Sequence, residues 1–287
     1  MPTLARQSTI RRMRPCLGTF VEIGAQFNSD ILTVAENAIS CAFSEIQLIH
    51  ELLSFHAPHS DLTKLNQAKG KPVKLHRHSL RVLHLARSMT ILSDGLFNCT
   101  VGGSLVEKGI LPNHDNVTTL AFGVADDIEI KHGKARLKQP VKITLDGIAK
   151  GYAVDCAVSA LRRQGVHTGW VNAGGDLRAF GEITLPIQRR EADGSFSAMG
   201  GLNNAALASS QVSVQYDERF PGMIINPNQN ADKSAPANGV WSVMAHSAWR
   251  ADALTKVACL ANPLERAVLI NKLNGALVYP QMPSRVF

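Results

Sequence analysis

Apolar residues recur at three- and four-residue spacing from Ile31 to Leu53, through Val34, Ala38, Ile39, Ala42, Phe43, Ile46, Ile49 and Leu52. That stripe predicts a long amphipathic helix with Asp30 as its N-cap. A second helical stripe runs over Ser79–Ser93 through Leu80, Val82, Leu83, Leu85, Ala86, Met89 and Leu92. Alternation between Asp127 and Leu137 around His132-Gly133 predicts a hairpin. Leu17 to Ile23 and Val240 to Ala245 read as strands, and Trp170 to Arg178 as a buried strand entering a Gly174-Gly175 turn. Val154, Ala157, Val158 and Leu161 mark one face of a helix that stops at Gly165. Ala251–Leu260 predicts a helix with Asp252 in its first turn, and Ala267–Lys272 a shorter one. Gln188–Gly201 reads as a hairpin loop, and Asn226–Gly239 as a turn-rich surface loop. Strands and helices mix without regular β-α-β-α alternation, which predicts an α+β fold with largely antiparallel sheets and packed helices. We expect one domain over 1–287, with residues 1–14 as a flexible lead.

The segment Thr144–Asp155, T-L-D-G-I-A-K-G-Y-A-V-D, holds the densest signal. A short apolar strand (Val141, Ile143, Leu145) runs into a turn bounded by Gly147 and Gly151 and then into a helix. Lys150 stands at the mouth of that helix, where free N–H groups and a cation favour an anion such as phosphate. Glycines on either side let backbone approach a ligand. An ordinary strand–turn–helix corner with a solvated lysine reads equally well from this stretch alone.

Other candidates follow the same chemistry. The Gly174-Gly175-Asp176 turn offers close backbone approach and a carboxylate acceptor, or simply a tight turn. Asp252 and Thr255 stand three apart on one helix face, so their oxygens could meet one Mg²⁺; helix-terminal decoration is the alternative. His56 and His59 flank Pro58 on a polar loop, where solvated histidines are common. No H-E-x-x-H, G-x-S-x-G, P-loop or G-x-G-x-x-G pattern occurs.

Composition narrows the classes. At 45% hydrophobic and 18% charged the chain is globular. Its net charge of +7 suits a polyanionic small ligand, while the scattered basic residues argue against nucleic acid. The five cysteines are far apart and form no C-x-x-C, which argues against a disulfide framework and a structural zinc site. No stretch approaches the roughly 18 apolar residues of a membrane span. The polar, basic N-terminus is no secretory signal, so a cytoplasmic location is expected, or a periplasmic one for a trimmed chain.

Taken in order, the motifs resemble the ApbE-type FAD:protein FMN transferases. The resemblance runs from Leu17-Gly18-Thr19 through Ser54–Asn66, Gly95–Gly102, Gly147–Asp155 and Asn172–Asp176 to Ala251–Thr255. It implies a mixed α+β architecture related to the T-fold, with FAD in a cleft. It implies transfer of FMN to a threonine hydroxyl of an acceptor flavoprotein, release of AMP, and a divalent metal, usually Mg²⁺. The alternatives are FAD binding without transfer, or FAD hydrolysis to FMN and AMP. Carried over by motif, Lys150 and Asp252 are the catalytic candidates. Leu17, Gly18, Thr19, His56, Thr144, Lys150, Gly174, Gly175 and Asp176 are the cofactor-binding ones, and Gly147, Asp252 and Thr255 the metal set. His56 takes the place of a family tyrosine, and Thr144 that of an aspartate, with Asp146 two residues on. Where the family usually has Ser or Thr four residues after the aspartate, this chain has Lys256. An ammonium at a metal position repels the cation or replaces its charge. The family's histidine implicated in transfer is Met223 here, which cannot act as a base, and its nearby aspartate is Asn226.

Overall fold

A computed structural model describes residues 7–28, 32–115, 117–212, 224–226 and 239–280. The chain opens with a hairpin, β1 (Gln7–Cys16) and β2 (Thr19–Asn28), that turns at Leu17 and Gly18, both at positive φ. Two expectations are corrected here. Leu17-Gly18 is the turn rather than the start of a strand, and residues 7–14 of the expected flexible lead are strand. The pattern hid β1 because it is a sheet edge: Arg11, Arg12 and Arg14 are exposed, as edge strands commonly are, while Ile10 is buried.

The long stripe forms α1 (Leu32–Leu53); its expected cap Asp30 and first residue Ile31 lie outside the described residues. Then come α2 (Asp61–Asn66), β3 (Val73–Lys74), α3 (Arg77–Leu92) and α4 (Gly102–Glu107). The predicted hairpin is β4 (Ile128–Lys131) and β5 (Lys134–Leu137), turning at His132 and Gly133 with positive φ. β3, β5 and β4 make a small antiparallel sheet. After α5 (Ala149–Arg163) the chain builds β6 (Thr168–Ala173), β7 (Asp176–Phe180), β8 (Leu185–Arg190), β9 (Phe196–Leu202) and β10 (Ala206–Val212). β11 (Gly239–Ala245), α6 (Ala248–Leu260), α7 (Arg266–Lys272) and β12 (Gly275–Val278) follow.

The main sheet is antiparallel and seven-stranded, in the order β1-β2-β6-β7-β10-β11-β12. On one face α5 packs between α1 and α6, and Val21, Ile23, Val171, Phe180, Ala206 and Ala208 meet the buried stripes of the helices. On the other face Trp170, Leu177, Ala179 and Leu207 form a second, smaller core with Leu202 of β9. The β8–β9 hairpin supplies that cover, so the expected loop over Gln188–Gly201 is largely strand.

The segment Val141–Leu145 is buried, but among the described residues its strand-like pairing is a single parallel bridge from Lys142 to Val101. Its backbone is satisfied otherwise. The Asn66 amide donates to Ile143 O (2.9 Å) and accepts from Ile143 N–H (2.7 Å), and Thr144 N–H donates to Cys99 O (2.8 Å). A single side chain thus does the work of a neighbouring strand, which periodicity cannot announce.

Candidate functional site

Lys150 is the second residue of α5, and neither α5 nor α6 carries a side-chain cap of its own. Each helix instead receives a carboxylate from the other. Asp155 of α5 accepts from the Ala248 and Trp249 N–H groups, both at 3.0 Å, and pairs with Arg178 of β7. Asp252 of α6 accepts from the Gly151 N–H at 3.2 Å. Free N–H groups and the positive end of each helix dipole are thereby met reciprocally. The two N-termini approach so closely that a Cβ on Gly151 would lie 2.3 Å from Ala248 O. Gly151 therefore serves helix–helix contact rather than contact with a ligand. α6 also begins three residues before the expected start, so Asp252 stands in its second turn and caps α5 instead of its own helix.

β7 alternates between the two faces of the sheet. Leu177 and Ala179 enter the small core, while Asp176 and Arg178 face the helices and find Lys150 and Asp155 there. Lys150 Nζ lies 3.2 Å from the buried Asp176 Oδ2, an ion pair that joins the first turn of α5 to the start of β7. The pair is lopsided. Asp176, beside Lys150, and reinforced by Asp252 and Asp146, holds the lysine above its ordinary range against the effect of burial. Burial first, and the Asp252 charge second, push the Asp176 carboxyl up to about 6, with Lys150 and Lys256 opposing. Lys150 keeps part of its side chain in solvent and gains from the pair, whereas the buried carboxylate bears the desolvation.

Lys256, one turn beyond Asp252, turns back onto it: Nζ lies 2.5 Å from Asp252 Oδ1 and 3.2 Å from Thr255 Oγ1. Asp252 and Thr255 are both fully buried. The Thr255 hydroxyl donates to the Asp252 carbonyl at 2.7 Å and lies 2.6 Å from the Ser210 hydroxyl of β10. Gly147 packs against the lysine stem, where a Cβ would sit 3.3 Å from Lys256 Cε.

The remaining candidates fall into two groups. Leu17, Gly18 and Thr19 share a corner with Gly174 and Gly175: Gly174 N–H donates to Phe20 O, and a Cβ on Gly174 would meet Thr19 Oγ1 at 2.6 Å. That corner adjoins Asp176, the residue after Gly175. Thr144 is buried and donates to Asp146 Oδ2 at 3.1 Å, next to the Lys150 turn. His56 is exposed on the loop between α1 and α2, with no bond to the cluster among the described residues. Met223 lies outside the described residues, as does most of the Asn226–Gly239 loop. Three residues of the cluster escaped the sequence: Asp155 as an anchor, Arg178 and Ser210. A charged residue on the helix face of a buried strand was the available signal for Arg178; nothing local marked the others.

The ApbE family model matches residues 17–279. The chain belongs to the ApbE family. It is 25% identical over 198 residues to the FAD:protein FMN transferase of Klebsiella pneumoniae (strain 342), a match over 64% of this chain and 62% of that relative. Among solved structures it resembles the flavin transferase ApbE from Vibrio cholerae (TM-score 0.77, 18% identical, 96% of this chain and 95% of the other). It also resembles the apo flavinyl transferase ApbE of Pseudomonas stutzeri (TM-score 0.78, 17% identical, 98% and 94%) and the ApbE protein of Thermotoga maritima (0.77, 22%, 94% and 94%). These likenesses bear out the α+β fold with antiparallel sheets.

In this structure the side chains of the metal set expected from ApbE membership are already engaged by other groups of the chain. Asp252 Oδ1 and Oδ2 are engaged by Lys256 and by the Gly151 N–H, and the Thr255 hydroxyl by Asp252, Lys256 and Ser210. Among the described residues, no three of His, Cys, Asp and Glu converge as a metal site. Nor is any helix there long and apolar enough to cross a membrane.

Proposed function

We propose that this chain transfers FMN from FAD to a threonine hydroxyl of an acceptor flavoprotein. The threonine oxygen attacks the phosphorus on the FMN half. A phosphoester bond forms, the anhydride bond to the AMP half breaks, the hydroxyl proton passes to solvent, and AMP leaves. Such a step depends on placing cationic charge against the phosphates. The observation that carries the reading is the convergence of Lys150, Asp176, Asp252 and Lys256 at the facing N-termini of α5 and α6, in a chain matched by the ApbE model from residue 17 to 279. The Klebsiella relative's name supplies the donor, the group moved and the class of acceptor. In this reading Lys150 meets a phosphate oxygen, its charge secured by Asp176, and the Leu17–Thr19 and Gly174–Gly175 corner lines the cleft.

The test mixes the purified chain with FAD and a threonine-bearing acceptor, with and without Mg²⁺. A fluorescent acceptor band with equimolar AMP is expected. Free FMN plus AMP without acceptor label would identify a pyrophosphatase, and intact bound FAD a carrier; either overturns the transferase reading. Lys150→Ala should weaken FAD binding about tenfold, the loss of one charge-assisted contact, by flavin fluorescence quenching. Unchanged affinity removes Lys150 from the cleft.

A further inference from the structure

Lys256 sits among the same three residues that were expected to hold a cation. Its Nζ reaches Asp252 Oδ1 at 2.5 Å and Thr255 Oγ1 at 3.2 Å, and its stem packs on Gly147. We propose that Lys256 supplies, tethered to the chain, the positive charge that a divalent ion would otherwise bring to the Asp252 carboxylate, so that the pyrophosphate of a flavin dinucleotide is bound here without a metal. The inference deepens the reading above and rests on it.

Three observations support it. Asp252 is fully buried and lies one helical turn from Lys256, so the ammonium is placed by the helix itself. The two buried carboxylates, Asp176 and Asp252, each meet an ammonium of the chain itself, Lys150 and Lys256 respectively. An ammonium carries three donors, of which Asp252 and Thr255 take two, and its side chain remains about a fifth exposed (22%), which leaves a donor for a phosphate oxygen. A divalent ion brought to Asp252 would sit beside that ammonium and be repelled.

The experiment titrates FAD into wild type, Lys256→Thr and Lys256→Met, first in EDTA and then in Mn²⁺. Flavin quenching reads FAD, the electron paramagnetic signal of free Mn²⁺ reads the metal, and far-ultraviolet circular dichroism confirms folding. Wild type should bind FAD in EDTA with an affinity that Mn²⁺ leaves unchanged, and should take up no Mn²⁺. Lys256→Met should bind FAD about tenfold more weakly in both conditions. Lys256→Thr should show the same loss in EDTA, recover it in Mn²⁺, and retain one Mn²⁺ per chain. Stoichiometric Mn²⁺ on the FAD-bound wild type, or an EDTA-sensitive wild-type affinity, overturns the inference while leaving the flavin reading intact. FAD binding to none of the three proteins overturns the flavin reading, and the inference with it.

Discussion

At the scale of single residues, the cluster joins groups that the chain keeps far apart. Gly151 N–H and Asp252 meet across 101 positions, and Ala248 N–H and Asp155 across 93. Lys150 and Asp252 stood out in the sequence because a Gly-bounded turn and a carboxylate on a helix have local signatures. Their partnership did not, since electrostatics between distant positions leaves no periodic trace. Asp176 offers a test. Its carboxyl is raised to about 6, above the ordinary 3.8, by burial and by Asp252. The folded state therefore holds that proton more tightly than the unfolded chain. Its contribution to stability is fully present below about pH 4 and is lost as pH rises to about 6, by roughly 3 kcal/mol at full ionisation. Urea unfolding across that window should show this downward component in wild type and lack it in Asp176→Asn. Equal pH slopes in the two proteins would place Asp176 in a more solvated setting.

At the scale of elements, long stripes and glycine turns announced themselves, and short or covered strands did not. α1, α3 and the β4–β5 hairpin follow periodicity directly. β1 is an exposed edge, β10 carries small residues (Ala206, Ala208, Ser210), and Val141–Leu145 borrows its hydrogen bonds from Asn66. In each case the pairing lies outside the segment's own pattern. The α5–α6 contact depends on one missing side chain. Gly151→Ala would press a Cβ against Ala248 O, so a loss of about 3 kcal/mol is expected, with α6 displaced from the Lys150 turn. Gly175→Ala meets open space at a φ of +101°, and should lose only the strain of that conformation, about 1–2 kcal/mol. Denaturant midpoints decide the comparison; a milder Gly151 variant would mean that the two helices part easily.

At the scale of the whole molecule, the seven-stranded sheet separates two cores. The larger holds Leu161 of α5, and the smaller holds Leu202 of β9. Leu161→Ala should cost about 3–5 kcal/mol, and Leu202→Ala nearer 2 kcal/mol, because a two-stranded cover can settle into the space. With the sheet between them, the double variant should be additive within about 0.5 kcal/mol. Strong coupling in the urea-measured cycle would mean that the cores communicate through the sheet. The cluster lies on the helix side of this sheet, so Leu202→Ala should leave flavin affinity unchanged.

The amino-acid sequence alone determined the α+β class, the long helices, the glycine turns and the family. Each of these is written in neighbouring residues, through side-chain periodicity, φ tolerance or a contiguous motif. Tertiary structure alone decided that two helix N-termini exchange carboxylates, that Gly151 serves their contact, and that the Lys256 ammonium lies on Asp252. Those outcomes are distances between segments scores of residues apart, set by how helices seat on a sheet rather than by any local preference of the chain.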